Sequence, residues 1–200
     1  MPGYLDGIEQ RYAHGPQAAL LGIPLGDESL GYTNSAVGFS PATVTQPYRY
    51  DKHHLVPFGE FIPLDKMLPF LQRLAPTGVS CTPGRDPGIL HVTRGAGEIL
   101  SLGPLICFED TVSALSCAAV RAGARLLVLM TNDAVFNGSI ELEQHLNQSV
   151  FRAVENGVRL VRAANSGVSC VVDAVGHVKR LESEGLSTDF DGFLVMQVAV

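Results

Sequence analysis

Positive charge is scarce in this chain and nowhere concentrated: 14 Lys and Arg among 200 residues leave a formal net charge of -6. No basic run occurs, so the electrostatic footprint of a nucleic-acid binder is missing and nucleic acid is excluded as a partner. Long apolar runs are missing too. Stretches such as Ile99 to Phe108 and Leu126 to Asn132 fall far short of the roughly 20 apolar residues that a membrane-spanning helix needs. Met1 to Gln10 has neither a basic start nor an apolar stretch and does not read as a secretory signal. Any placement outside the cytoplasm is expected to come from sequence beyond these residues. The cysteines, Cys81, Cys107, Cys117 and Cys170, form no CxxC pair and have no His at zinc-ligand spacing, which points to neither a metal site nor a disulfide framework. Internal repeats and low-complexity tracts are absent as well.

What is present is a composition, 46% hydrophobic and 17% charged, that suits one sizeable core, so residues 1–200 read as a single domain. Apolar runs bounded by Gly, Pro, Asn or Asp read as buried strands: Ala18 to Ile23, Ile89 to Val92, Ile99 to Cys107, Leu126 to Met130, Leu160 to Ala164, Val168 to Asp173 and Phe193 to Val200. Between them, Thr111 to Ala122 places Val112, Leu115 and Ala119 at helical spacing with Gly123 as a stop. A second helix, Ile140 to Asn156, puts Leu142, Leu146, Val150 and Val154 on one stripe and ends at Gly157. The alternation from Ile99 onward, closed by a hairpin through Asp173-Ala174-Val175-Gly176, favours an α/β layered domain with a mixed sheet. Pro57, Pro63, Pro69, Pro76, Pro83 and Pro87 make the middle third a loop region, and a long loop inside a compact domain is usually functional or mobile.

Leu102 to Asp110, LGPLICFED, runs an apolar strand into Cys107 just before a helix. Backbone N–H groups and the helix dipole at such a junction lower a thiol pKa and hold an oxyanion, the geometry of a nucleophile elbow. The bland alternative is a small buried hydrophobe. Two further segments accompany it: YDKHHLVPFGEFIPL from Tyr50 to Leu64, and VLMTNDAVF ending at Phe136, followed by QHLNQSVFRAVENGVRLVRAANSGVSCVVDAVGHV from Gln144 to Val178. Together they resemble the apolipoprotein N-acyltransferase branch of the nitrilase (carbon-nitrogen hydrolase) superfamily, over about Leu20 to Val178. The resemblance implies a four-layer αββα sandwich and a Glu-Lys-Cys triad. Its Lys falls on Lys52 and its Cys on Cys107, where an ammonium near a thiolate favours the ionised sulfur and neutralises an oxyanion. Glu60 matches a second acid near the active site; it either orients Lys52 or caps its own loop. Phe108, Glu109, Asn132 and Asp133 are candidate substrate contacts, with Glu109 equally suited to a first-turn helix acid and Asn132-Asp133 to a turn. His145 reads as a hydrogen-bonded core or surface histidine, and Asn165-Ser166-Gly167 as a turn.

The family's general base is a Glu in a Pro-Glu dipeptide at the end of the first strand, and no Pro-Glu occurs here. The first strand and its Glu are therefore expected to be missing; Glu9 and Asp6 read as part of the helix that follows it. These residues are expected to be a piece of a longer polypeptide. Phe108 replaces a common Tyr, and Val135 replaces a Trp. The function implied is transfer of an acyl chain from a phospholipid, through a Cys107 thioester, to the amine of a lipoprotein cysteine at the bacterial inner membrane, facing the periplasm, with membrane contact through flanking segments. No cofactor or metal is required by that chemistry. The alternatives are a soluble carbon-nitrogen hydrolase (amidase) and a degenerate homologue that binds lipid or lipoprotein without catalysis.

Overall fold

The computed structural model describes residues 18–27, 31–39, 48–64, 67, 80–85, 88–93, 99–136, 138–190, 192, 194 and 196–198. Their elements are β1 (Ala19–Asp27), β2 (Gly31–Phe39), β3 (Tyr48–Asp51), β4 (Leu90–Thr93), β5 (Ile99–Ile106), α1 (Ser113–Arg121), β6 (Leu126–Asn132), α2 (Glu141–Asn156), β7 (Arg159–Asn165), β8 (Cys170–Val172) and β9 (Val178–Arg180). Short 3-10 turns, Cys107–Thr111 and Ala134–Phe136, follow β5 and β6.

β4 to β9 form one sheet in chain order. β5, β6 and β7 pair in parallel, and β4, β8 and β9 join antiparallel, so the sheet is mixed. Side chains alternate across a strand, and the parallel strands use both faces. Leu105, Leu127, Leu129 and Leu160 face α1 and α2, meeting Ala119, Leu146 and Ala153 in the larger core. Ile106 and Met130, one residue out of phase with Leu105 and Leu129, face the other way and meet Ala36 of β2 and Tyr50 of β3. The second sheet, β1-β2-β3, is an antiparallel meander with Ala19 opposite Phe39 and Ser35 opposite Asp51.

The described layers are therefore helices, six-stranded sheet and three-stranded sheet, in agreement with the α/β class and mixed sheet expected. The segment with Asp6 and Glu9 lies outside the described residues, as do Phe193, Val195, Ala199 and Val200 of the expected strand Phe193 to Val200, while its described residues Leu194, Met196, Gln197 and Val198 form no strand. β2 and β3 were not anticipated, because GYTNSAVGF and YRYD lack a continuous apolar run. The α2 stripe is also rotated from the expected one: Leu142 and Leu146 are buried, but His145, Ser149, Arg152 and Ala153 join them, while Val154 is 46% exposed. Gly157 closes α2 in the left-handed region with φ 65, as a C-terminal glycine should.

Candidate active site

The parallel strands β5, β6 and β7 end on one side, and the residues at their C-terminal ends, Cys107, Asn132 and Asn165, line one cavity. Ligand sites in open α/β sheets lie at this edge. The cavity measures about 1080 Å³, against roughly 300–1,000 Å³ for clefts that hold drug-sized ligands. Apolar residues of β1, Leu20, Leu21 and Ile23, share its lining with Ile106 and Met130.

Cys107 leaves β5 with φ 52, the left-handed region that a residue with a Cβ avoids. The 3-10 turn that begins there holds the strain. Glu109 fixes that turn: its carboxylate is fully buried and accepts from the Ile106 N–H at 2.8 Å, the His53 N–H at 2.7 Å and the His54 N–H at 3.2 Å. The Tyr50 hydroxyl donates to both of its oxygens, at 3.0 and 2.9 Å. Burial, and then the adjacent Glu109 carboxylate, push the Tyr50 phenol well above its ordinary range. Glu109 thus ties the nucleophile turn to β3 and the loop after it, and its polar atoms are spent on the protein.

Lys52 follows β3 and is 1% exposed. Its Nζ donates to Glu60 Oε2 at 2.7 Å. Glu60 also accepts from Asn34 Nδ2 at 2.7 Å and from the Val56 N–H at 2.8 Å. Burial pushes the Glu60 carboxyl up, but the hydrogen bonds from Lys52, Val56 and Asn34 outweigh it and hold it below the usual range. Backbone bonds lock the pair in place: Lys52 N–H to the Asn34 carbonyl at 2.8 Å and Cys81 N–H to the Glu60 carbonyl at 2.7 Å. Glu60 and Cys107 face the same cavity, so the structure gathers a strained thiol and the carboxylate that anchors the buried Lys52 around one space.

The other candidates divide. Asn132 lines the cavity, its Oδ1 accepting from Asn165 Nδ2 at 3.1 Å and the Ala134 N–H at 3.2 Å. Asp133 is fully buried and bonds Thr131, His145 and Arg162 at 2.7, 3.0 and 2.7 Å. Phe108 stacks on the His145 ring at 5.2 Å and meets Phe136 edge-on at 6.0 Å. Val135 is 81% exposed. Among the cavity residues that the sequence did not single out are Asn34, Cys81 and Asn165. Asn34 sits in a strand with no motif, and Cys81 is isolated in a Pro-rich loop, so neither carried a signal. Asn165 was read as part of a turn but ends β7, and its cavity position follows only from the pairing of β7 with β6. Among the described residues no cluster of His, Cys, Asp and Glu is arranged to hold a metal ion.

Comparison with known proteins returns a family match and close relatives. The carbon-nitrogen hydrolase family profile matches residues 15–188. The chain is 42% identical over 189 residues to an apolipoprotein N-acyltransferase of Verminephrobacter eiseniae, covering 89% of this chain and 33% of that protein. It is 42% identical over 181 residues to the apolipoprotein N-acyltransferase of Geobacter metallireducens, covering 89% and 34%. The chain thus spans about a third of the length of these curated relatives. Among solved structures, an amidase from Nesterenkonia sp. superposes with TM-score 0.63 at 20% identity, over 90% of this chain and 62% of that one. A nitrilase-superfamily member of Saccharomyces cerevisiae superposes with TM-score 0.62 at 17% identity, over 88% and 59%. At those identities the structures establish the fold alone.

Proposed function

The chain belongs to the carbon-nitrogen hydrolase family, and on that premise we propose that it carries the thioester-forming site of an apolipoprotein N-acyltransferase. The observation that carries this reading is Cys107, held at φ 52 on the edge of a large, largely apolar cavity that it shares with Glu60, the anchor of Lys52. The Cys107 thiolate attacks the ester carbonyl of a phospholipid. Lys52 and backbone N–H groups stabilise the oxyanion, the carbon-oxygen bond breaks, and the lysophospholipid leaves with a proton while the acyl group stays on sulfur. The amine of a lipoprotein cysteine then attacks the thioester, and the thiol is released. Glu60 positions Lys52, and Asn132 lines the space in which acceptor or donor head group would sit.

No Pro-Glu dipeptide is present to supply the family's general base, so the proton transfers of both steps are expected to be slower by roughly a hundredfold to ten-thousandfold in these residues alone. We assign membrane attachment, at the bacterial inner membrane and facing the periplasm, to segments flanking these residues. Among the described residues no helix is long and apolar enough to cross a membrane.

An activated donor tests the site without the missing base, because p-nitrophenolate departs unprotonated and mild alkali supplies the thiolate. Incubated with p-nitrophenyl palmitate in micelles at about pH 8, where a free thiol is partly ionised, the chain is expected to gain one palmitoyl group on Cys107, read by peptide mass spectrometry. Cys107→Ala should abolish the adduct, and Lys52→Met should slow it by about a hundredfold. Preference for acetyl esters and small amides, with water as acceptor, would replace acyl transfer by the amidase reading. Failure of every donor to modify Cys107 would leave a binding protein.

A further inference from the structure

On the segments that follow Cys107 and Asn132 lies a second set of charged groups that the proposed chemistry does not use. Asp110, Asp133 and Arg162 are buried, with His145 4% exposed between them. His145 Nε2 meets Asp110 Oδ1 at 3.1 Å, and its Nδ1 meets Asp133 Oδ1 at 3.0 Å. Arg162 spans the same two carboxylates, at 3.2 Å to Asp110 Oδ2 and 2.7 Å to Asp133 Oδ2. The Ser149 hydroxyl donates to Asp110 Oδ2 at 2.7 Å and accepts from Arg162 Nη1 at 2.8 Å. Arg152 Nη1 donates to the Asp110 carbonyl at 3.0 Å.

The two carboxylates belong to the segments that carry two residues of the cavity wall, Cys107 and Asn132. Asp110 lies in the 3-10 turn that begins at Cys107, and Asp133 follows Asn132. We propose that His145 is a positioning residue, which through Asp110 and Asp133 locks the Cys107 turn and the turn 132–136 to each other and so holds the strained nucleophile in place. It rests on the reading of Cys107 as nucleophile.

Charge explains why a histidine does this. Two carboxylates against one guanidinium leave a net negative charge in a buried site, which a second cation cancels. Only imidazolium carries N–H on both nitrogens; a neutral ring must turn one lone pair toward a carboxylate oxygen about 3 Å away. The groups facing the ring are Asp110 and Phe108 from the first turn and Asp133 and Phe136 from the second, while Arg162 from β7 and Ser149 and Arg152 from its own helix bond those aspartates. Burial pushes the imidazolium down, yet the bonds to Asp110 and Asp133 prevail and raise it to about 9, against the opposing charge of Arg162. The cation is therefore the resting form at neutral pH.

Alkylation by iodoacetamide reads the placement of the Cys107 thiol without any acyl donor, so its outcome is separate from that of the acylation experiment. Rates are followed by peptide mass spectrometry at Cys107, with Cys81 on another segment of the same cavity as internal reference. At pH 7 His145→Leu is expected to slow Cys107 about tenfold while Cys81 stays within twofold, and His145→Gln, which can donate to one carboxylate at a time, to fall between. Where the Leu variant does not fold, wild-type protein decides: its Cys107 rate should climb with thiolate formation and then turn down as pH passes about 9, with the fold still intact by circular dichroism. An unchanged Cys107 rate in a folded variant, or a wild-type profile that rises to a plateau and never turns down, overturns the proposal.

Discussion

Glu109 shows how one side chain can set a site without facing it. Its oxygens accept from three backbone N–H groups and the Tyr50 hydroxyl, on segments more than fifty residues apart in sequence. Glu109→Gln preserves shape but not chemistry, because either orientation of the amide points an NH2 at a backbone N–H that can only donate. The variant is expected to lose about 2–3 kcal/mol of stability, visible as a lower urea midpoint; an unchanged midpoint would show that the turn does not depend on this acid. Cys107 stood out by its local chemistry, at the exit of an apolar strand, whereas Lys52 and Glu60 were singled out only through the motif to which they belong. The task of His145 was not, because its carboxylate partners lie 12 and 35 residues away and only the fold brings them together.

At the scale of elements, the rule that apolar residues mark the inner face of a helix succeeded for α1 and half-failed for α2. Leu115 and Ala119 pack where the α1 spacing puts them. α2 turns instead to bury His145, Ser149 and Arg152, because Asp110 and Arg162 beneath it reward polar groups, and Val154 is left outward. A periodicity of hydrophobicity cannot see partners on β7. Close packing of α1 on the sheet rests on Gly103 in β5, where an added Cβ would stand 3.0 Å from Ala119 Cβ, Ala124 Cβ and Leu127 Cδ2. Two of those three atoms are themselves Cβ atoms and cannot swing aside. Gly103→Ala is therefore expected to cost about 1–3 kcal/mol by overpacking, measured by urea unfolding, and to shift Cys107, four residues on, by less than it shifts α1. A neutral or stabilising effect would mean that α1 lifts freely from the sheet.

For the whole molecule, the buried and half-buried ionisable groups divide the pH axis into three parts. Glu60 and Asp133 are held below their ordinary 4.5 and 3.8, so the stability they contribute is present above those values and lost as pH falls through the lower folded ones. His145 is raised from 6.5 to about 9, so its contribution is complete below 6.5 and lost as pH rises through 9. The raised value corresponds to on the order of 3 kcal/mol, a large share of the 5–15 kcal/mol, roughly, that holds a domain together. Net negative charge, already -6 at pH 7, works in the same direction on the alkaline side. Urea midpoints are accordingly expected to be highest between about pH 5 and 6.5 and to decline steadily by pH 9.5. His145→Gln should start lower and lose most of the alkaline slope, since it has no proton to release there. A wild-type midpoint that holds level from pH 6.5 to 9.5 would place the His145 proton elsewhere, and with it the charge balance that joins the two turns of the cavity.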